Sequence, residues 1–273
     1  MKIRLLFCLV VFTLCFGAKK TNAQVSYVWA GGTSGSWTTP VNWRVGGLIP
    51  SLYPGQVLTT DIAIVNTSNA TISYSGNVTI AELESTNFGV SGITISFTGT
   101  APTLIVTGGM SIAQPSGVAL GITFSGSGTA SIAGTVNFAF DSQFAIGSGA
   151  TVTFTGTVNL NNGDGIANMS NAGTLNCSAC TVNSTANITN TGTINVTGGG
   201  NFSFTGTPST VTSSGKINIT SGTLTFGNDN NSLQNSSGAT VTCNSATINL
   251  SGAYLHKMLG LLVALVSLVG LFS

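Results

Sequence analysis

Few side chains in this chain are suited to acid–base, nucleophilic or metal chemistry. His256 is the only histidine among 273 residues, and it lies beside an apolar C-terminal run. A Ser–His–Asp triad or a histidine metal site therefore cannot be assembled in the body of the chain. We expect no catalytic residue, no metal site and no cofactor.

The carboxylates are sparse as well. The chain has six acidic residues, which are Asp61, Glu82, Glu84, Asp141, Asp164 and Asp229. Glu82 and Glu84 are two positions apart, so on a strand they share one face, and they predict an outward acidic pair. Asp164 in NNGDG and Asp229 in GNDNN are typical of turns. Too few of these charges converge to predict a calcium site.

The overall composition restricts the class of partner. Charged residues make up 5% of the chain, against roughly 25% in an ordinary globular protein. Seven Lys and Arg residues are too few to neutralise a phosphate backbone, which argues against nucleic-acid binding. An uncharged surface of Thr, Ser and Asn is typical of secreted and cell-surface proteins.

Both ends of the chain are apolar. Residues 1–23 carry two early positive charges, then an apolar run and small residues, which predicts a secretory signal peptide; an N-terminal membrane anchor is the alternative. Residues 251–273 include a second apolar run with no Lys or Arg after it, which predicts a GPI-anchor signal or a membrane-anchoring tail helix. The residue that would carry the lipid is Asn244 or Ser251. Asn244 leaves the better spacer, whereas Ser251 preserves the last strand-like segment.

The chain between residues 61 and 250 repeats itself. GTVNF and GTVNL begin 22 positions apart, and GTLNC, GTINV and GKINI begin at residues 173, 192 and 215. Within each segment apolar and polar residues alternate with the period of a strand. A period of this length predicts an all-β fold, a parallel β-helix (β-solenoid) of about eight or nine coils. A β-sandwich is the alternative.

The alternation also predicts which side chains form the core. Ile194, Val196, Ile217 and Ile219 are expected to stack inward in adjacent coils. The asparagines between them, at positions 195 and 218, are expected to face solvent.

The cysteines fit the same repeat. Cys177 and Cys243 occupy positions that Val196 and Ile219 fill in other units, which predicts small core residues. They are separated by three repeats, about 14 Å along a stack of strands, which is too far for a disulfide. CSAC at residues 177–180 has the spacing of a redox or metal pair, but a single pair is a weak signal. A local Cys177–Cys180 bridge is the alternative that we favour less.

All three tryptophans lie near the start of the chain, at Trp29, Trp37 and Trp43. A solenoid exposes the backbone and core of its first coil unless an atypical terminal unit covers them. We therefore interpret residues 24–60 as a Trp-rich N-terminal cap on a solenoid that spans residues 61–250. A platform on which sugars stack is the alternative.

Several Asn-x-Ser/Thr sequons could carry glycans in a eukaryotic secretory route. The candidate glycosylation sites are Asn69, Asn77, Asn183, Asn187 and Asn235.

The segment VWAGGTSGSWTTPVNW resembles the opening module of large secreted β-helix surface proteins of the autotransporter-like and adhesin-like repeat type. That resemblance rests on residue types that occur in the same order, at Trp29, Trp37, Asn42, Trp43, Pro50 and Asp61. It covers only residues 28–65 and implies a β-helix at a cell surface or in a matrix. It implies no catalytic residue.

These features predict a non-enzymatic extracellular or cell-surface protein with a structural or adhesin-like role. The alternative is a β-helix that binds a carbohydrate or processes a polysaccharide, and a less favoured third function is ice binding. The expected partners are a surface ligand, either glycan or protein, and a membrane reached through the C-terminal tail or a lipid anchor.

Overall fold

The computed structural model describes residues 24–85, 92–112, 121–138, 142–160, 168–205, 209–227 and 232–249. A 3-10 helix at Pro40–Asn42 is the one helical element in these ranges. The strands are β1 (Ser26–Trp29), β2 (Ser34–Ser36), β3 (Trp43–Arg44), β4 (Ile62–Ile64), β5 (Thr71–Tyr74), β6 (Asn77–Ser85), β7 (Ile93–Phe97), β8 (Thr103–Ile112), β9 (Gly121–Gly126), β10 (Thr129–Ile132), β11 (Thr135–Phe138), β12 (Gln143–Ile146), β13 (Thr151–Phe154), β14 (Thr157–Leu160), β15 (Asn168–Asn171), β16 (Thr174–Ser178), β17 (Thr181–Ser184), β18 (Asn187–Asn190), β19 (Thr193–Thr197), β20 (Asn201–Phe204), β21 (Thr210–Ser213), β22 (Lys216–Thr220), β23 (Thr223–Phe226), β24 (Ser232–Asn235), β25 (Thr240–Asn244) and β26 (Thr247–Asn249).

The strands form a parallel β-solenoid with three faces, which confirms the predicted fold class. A seventeen-stranded sheet bends at a corner, because the long strand β8 pairs with β10 along one half and with β11 along the other. Its two halves are called here the first face, which continues through β10, β13, β16, β19, β22 and β25, and the second face, which continues through β11, β14, β17, β20, β23 and β26. The third face is a nine-stranded sheet that contains β2, β5, β7, β9, β12, β15, β18, β21 and β24.

The solenoid makes about seven complete turns, fewer than the eight or nine coils expected. Seven successive parallel pairings connect β5 to β24 on the third face. The coils are not uniform in length, because Ile95 pairs with Phe124 whereas Met169 pairs with Ile188. The seven turns from Ile72 to Asn235 nevertheless average about 23 residues each, close to the predicted period, so the difference lies in the incomplete turns at either end of the solenoid.

The core follows the predicted alternation. Ile194 pairs with Ile217 and Val196 with Ile219, and all four side chains are buried. Burying a side chain of this size stabilises the fold by roughly 1.5–3 kcal/mol, and the stacked columns repeat that contribution in each coil. The apolar half of the alternation therefore forms one continuous core along the rod.

The glycine that opens each GTLNC-type segment lies where neighbouring coils approach most closely. A Cβ on Gly192 would collide with the carbonyl oxygen of Gly173, and a Cβ on Gly215 would collide with that of Gly192. The repeated glycine is therefore required by the close packing of backbone at this corner.

The N-terminal segment continues the sheets before it covers them. Strand β1 pairs in parallel with β4, and β2 pairs in parallel with β5. Strand β3 then pairs with β1 in the antiparallel direction. Since β3 occupies the outer edge of β1, it blocks the template that an open sheet edge would offer to another chain.

A Cys177–Cys180 disulfide is present, so the preference for two unbonded thiols was wrong. Strand β16 ends at Ser178 and β17 begins at Thr181, so the pair spans a tight corner. Ala179 takes a positive φ of 53° there, which brings the two Cα atoms to 5.1 Å. This separation is ordinary for a disulfide. Cys243 is a free, half-buried cysteine that pairs with Ile219 as the repeat predicts.

Among the residues that the structure describes, no helix is both long and apolar enough to span a membrane. The proposed signal peptide and the apolar C-terminal run lie outside those residues, as do Ser251 and His256.

Candidate functional site

The first face carries an outward ladder of amide side chains, as the alternation predicts. Asn218 donates to the side-chain oxygen of Asn195 at 2.9 Å, and Asn195 donates to that of Asn176 at 2.8 Å. Asn176 in turn donates to the Thr153 hydroxyl at 3.2 Å. Each donor reaches one coil toward the N-terminus, so the ladder is an oriented chain of hydrogen bonds that joins four coils.

A second ladder runs along the second face with the same orientation. Asn183 donates to Asn159 at 3.1 Å, and Asn159 donates to Asn137 at 2.8 Å. The Asn137 oxygen accepts the last bond, which leaves its amide nitrogen as the donor that ends this ladder. A column of threonines on the first face is also regular: Thr103, Thr129, Thr151, Thr174 and Thr193 occupy one register position.

The second ladder ends beside a surface concavity of about 190 Å³. Its polar lining comes from successive strands of the second face: Glu82 and Glu84 from β6, Ser111 from β8, and Thr135 and Asn137 from β11. Gly109 stands between Glu82 and Thr135 in register. Because glycine has no side chain, the outer surface is indented at this position.

The acidic pair is outward and half-buried, so its predicted orientation is correct. Burial raises the pKa of Glu84, and the negative charge of Glu82 and a hydrogen bond with Glu82 raise it further. None of the residues that line the concavity is basic. The pair therefore shares negative charge that no side chain of the concavity neutralises.

The three tryptophans pack together at the N-terminal end. Trp43 meets Trp29 and Trp37 edge-to-face, with ring centroids 5.1 and 5.0 Å apart. Trp37 continues onto Tyr74, at 5.8 Å. The indole N–H groups donate to the carbonyl oxygens of Gly32, Pro54 and Trp37. All three tryptophans are buried, which supports a cap and gives no open ring face for a sugar.

Asp61 anchors the loop that holds this cluster. It is buried, and its Oδ2 accepts the N–H of Gly55 at 2.9 Å. Its Oδ1 is buried without a hydrogen-bond partner among the described residues. Burial raises the pKa of Asp61, and the Gly55 hydrogen bond opposes that rise. Since Pro54 accepts the Trp37 indole N–H at 3.1 Å, Asp61 connects the solenoid to the cap through this loop.

A third amide ladder lies inside the solenoid and was not anticipated. Asn171 donates to Asn190 at 2.8 Å and to the Thr193 carbonyl at 2.9 Å. Asn190 donates to Ser213 at 3.1 Å and to the Lys216 carbonyl at 3.2 Å. Asn171, Asn190 and Ser213 are fully buried, so these bonds satisfy donors and acceptors that water cannot reach. The Oδ1 atom of Asn171 is buried without a hydrogen-bond partner among the described residues. The sequence signal was the repeated polar residue that closes NMSN, NITN and TVTS.

The five candidate glycosylation sites differ in their surroundings. Asn69 and Asn77 are exposed, in a turn and at the start of β6. Asn183 is exposed on the second ladder. Asn187 accepts the backbone N–H of Thr210 at 2.9 Å, and the side-chain oxygen of Asn235 is buried.

The remaining candidate residues are dispersed. Asn244 is exposed at the end of β25, where it pairs with Thr220. Asp141, Asp164 and Asp229 lie outside the described residues. Within the described ranges, no group of three or more His, Cys, Asp or Glu side chains converges.

Comparison with models of protein families, with curated proteins and with solved structures finds no match to this chain.

Proposed function

We propose that this protein is a non-enzymatic, extracellular or cell-surface β-solenoid that acts as a rigid structural or adhesin-like module. The observation that carries the proposal is the pair of outward amide ladders, one centred on Asn195 and the other on Asn159. Each ladder places one column of neutral side chains on its face, and these side chains bond mainly to one another. Such a surface is suited to an extended scaffold that presents a ligand-binding face.

The proposal includes export and attachment to a membrane. The leader-like residues 1–23 support secretion, and the apolar run at residues 258–273 supports a lipid anchor or a tail helix. Glycans on exposed sequons such as Asn69 are consistent with the same route. The partner in this proposal is a glycan or a protein on another surface.

The N-terminal cap supports a rod that does not associate end to end with other copies of the chain. The antiparallel strand β3 covers one edge of the first coil, and the buried Trp43 ring fills the end of the core. A solenoid closed in this way is protected at that end from edge-to-edge association.

Surface staining of intact cells tests the proposal. An epitope tag is inserted in the exposed turn at Gly47–Leu48, and the full chain is expressed in cells that attach GPI anchors. Staining without permeabilisation is expected, and a phosphatidylinositol-specific phospholipase should remove it if the anchor is a lipid. Resistance to the enzyme would indicate the tail helix, and staining only after permeabilisation would contradict the proposal.

A further inference from the structure

The outer columns of the second face are interrupted at one place. Glu82, Gly109 and Thr135 follow one another in register, and the neighbouring column contains Glu84, Ser111 and Asn137. A side chain cannot be added at Gly109, because a Cβ there would collide with the carbonyl oxygen of Thr135. The indentation is therefore built into the backbone and does not depend on a side-chain rotamer.

The polar groups around the indentation include both hydrogen-bond acceptors and hydrogen-bond donors. The carboxylates of Glu82 and Glu84 supply hydrogen-bond acceptors, whereas Ser111 and Thr135 supply hydroxyl donors. Asn137 adds an amide donor, because its oxygen already accepts the bond from Asn159. Ring hydroxyls of a sugar both donate and accept, so they can use both sets at once.

The volume and the charge of the concavity restrict the class of ligand further. The concavity of about 190 Å³ is smaller than the roughly 300–1,000 Å³ of a pocket for a drug-sized ligand. It therefore suits one ring of a longer chain. The Glu82–Glu84 pair shares negative charge and has no basic neighbour in the lining, so it repels a uronate or a sulfate and attracts an ammonium group.

We propose that this concavity binds one pyranose unit of a non-acidic glycan, and that a protonated amino group on the sugar strengthens the binding. The proposal names a ligand class for the surface protein proposed above, and it rests on that function for the ligand to be encountered. Binding itself is a property of the purified chain, so the two proposals fail in different experiments.

Calorimetric titration of the purified full chain tests the ligand class. The probes are three β-1,4-linked tetrasaccharides, of glucosamine, glucose and galacturonate, at a pH at which the amine is protonated. Tetraglucosamine should bind about tenfold or more tightly than tetraglucose, since a hydrogen bond to a charged group is stronger than a neutral one. Tetragalacturonate should not bind. Equal or tighter binding of tetragalacturonate, or no binding of any probe, would overturn the proposal.

Matched variants test whether the sugars bind in this concavity. Glu82→Gln combined with Glu84→Gln preserves shape and should abolish the preference for tetraglucosamine over tetraglucose. Thr135→Val removes one hydroxyl and should weaken both sugars. Thr157→Val is the control. Thr157 occupies the position equivalent to Thr135 one coil away, because each threonine precedes a valine and the two valines, Val136 and Val158, pair in register. A loss in the Thr157 variant equal to that of Thr135→Val would place binding elsewhere and overturn the assignment.

Discussion

Asn218 donates a side-chain N–H to the side-chain oxygen of Asn195 at 2.9 Å, although 23 positions separate the two residues in the chain. The bond forms because one turn of the solenoid brings identical register positions into contact. On either side of Asn195, Ile194 and Val196 point into the core. The same strand thus supplies both the apolar stack and the neutral outer surface.

The tryptophan cap should contribute strongly to stability. Trp43→Ala should lower the free energy of unfolding by about 3 kcal/mol or more, because the substitution leaves a large cavity. It also removes the N–H bond to the Trp37 carbonyl. Leu48→Ala is the control, since Leu48 is 75% exposed and should change stability by less than about 0.5 kcal/mol. Equal denaturant midpoints for the two variants would show that the ring is not buried.

Loss of an asparagine from the buried ladder should lower the free energy of unfolding more than loss of one from the outer ladder on the first face. Asn190→Ala leaves a donor of Asn171 and the hydroxyl oxygen of Ser213 without their present partner, and each such buried group costs about 1–3 kcal/mol. Asn195→Ala removes comparable bonds at a half-buried position, where water can replace them, so its effect should be smaller. Urea denaturation of both variants gives the comparison. A larger loss for Asn195→Ala would contradict the placement of the inner ladder.

The inward-facing apolar columns were predictable from the sequence, whereas the buried asparagines were not. The alternation around Ile194 and Ile217 fixes which side chains face inward, because the period of a strand is two. Asn171 and Asn190 follow the same rule but are polar, so an apolar pattern does not reveal that they are buried.

The concavity and the disulfide depend on geometry that the repeat does not encode. The parity of Glu82 and Glu84 predicts an outward pair, but the indentation needs Gly109, which lies on the next coil. The Cys177–Cys180 bond depends on the left-handed conformation of Ala179 at a corner. Alanine seldom adopts that conformation, so the sequence gives little indication of it.

Acidity should strengthen the attachment of the cap. Burial raises the pKa of Asp61 above its ordinary value of 3.8. A group with a raised folded-state pKa contributes stability that is fully present below the unfolded value and is lost as the pH rises through the folded value. Asp61→Asn keeps an oxygen for the Gly55 N–H and removes this titration. Denaturation at several pH values from about 3 to 7 should therefore show that acid stabilises Asp61→Asn less than it stabilises the unaltered chain. Parallel curves of stability against pH for the two proteins would refute this role of Asp61.

Cys177 and Cys180 should be linked in the purified protein. Mass spectrometry of a digest made without reductant should find the peptide that contains both residues two hydrogens lighter, with neither thiol alkylated. Cys243 should be alkylated in the unfolded protein without reduction, because it is free. Opening the bridge by Cys180→Ala should lower stability by roughly 2 kcal/mol. Alkylation of Cys177 before reduction would contradict the bond.

Labelling of introduced cysteines on intact cells tests most directly whether the outward face that carries Asn195 is displayed at the cell surface. In a Cys243→Ser background, in which Cys177 and Cys180 are bonded to each other, Asn195→Cys and Ile194→Cys are compared with a maleimide that does not cross membranes. We expect rapid labelling of Asn195→Cys on intact cells and labelling of Ile194→Cys only after denaturation, because Asn195 faces outward and Ile194 is buried. Equal labelling of the two folded variants would contradict the register, and labelling of Asn195→Cys only after permeabilisation would contradict the location.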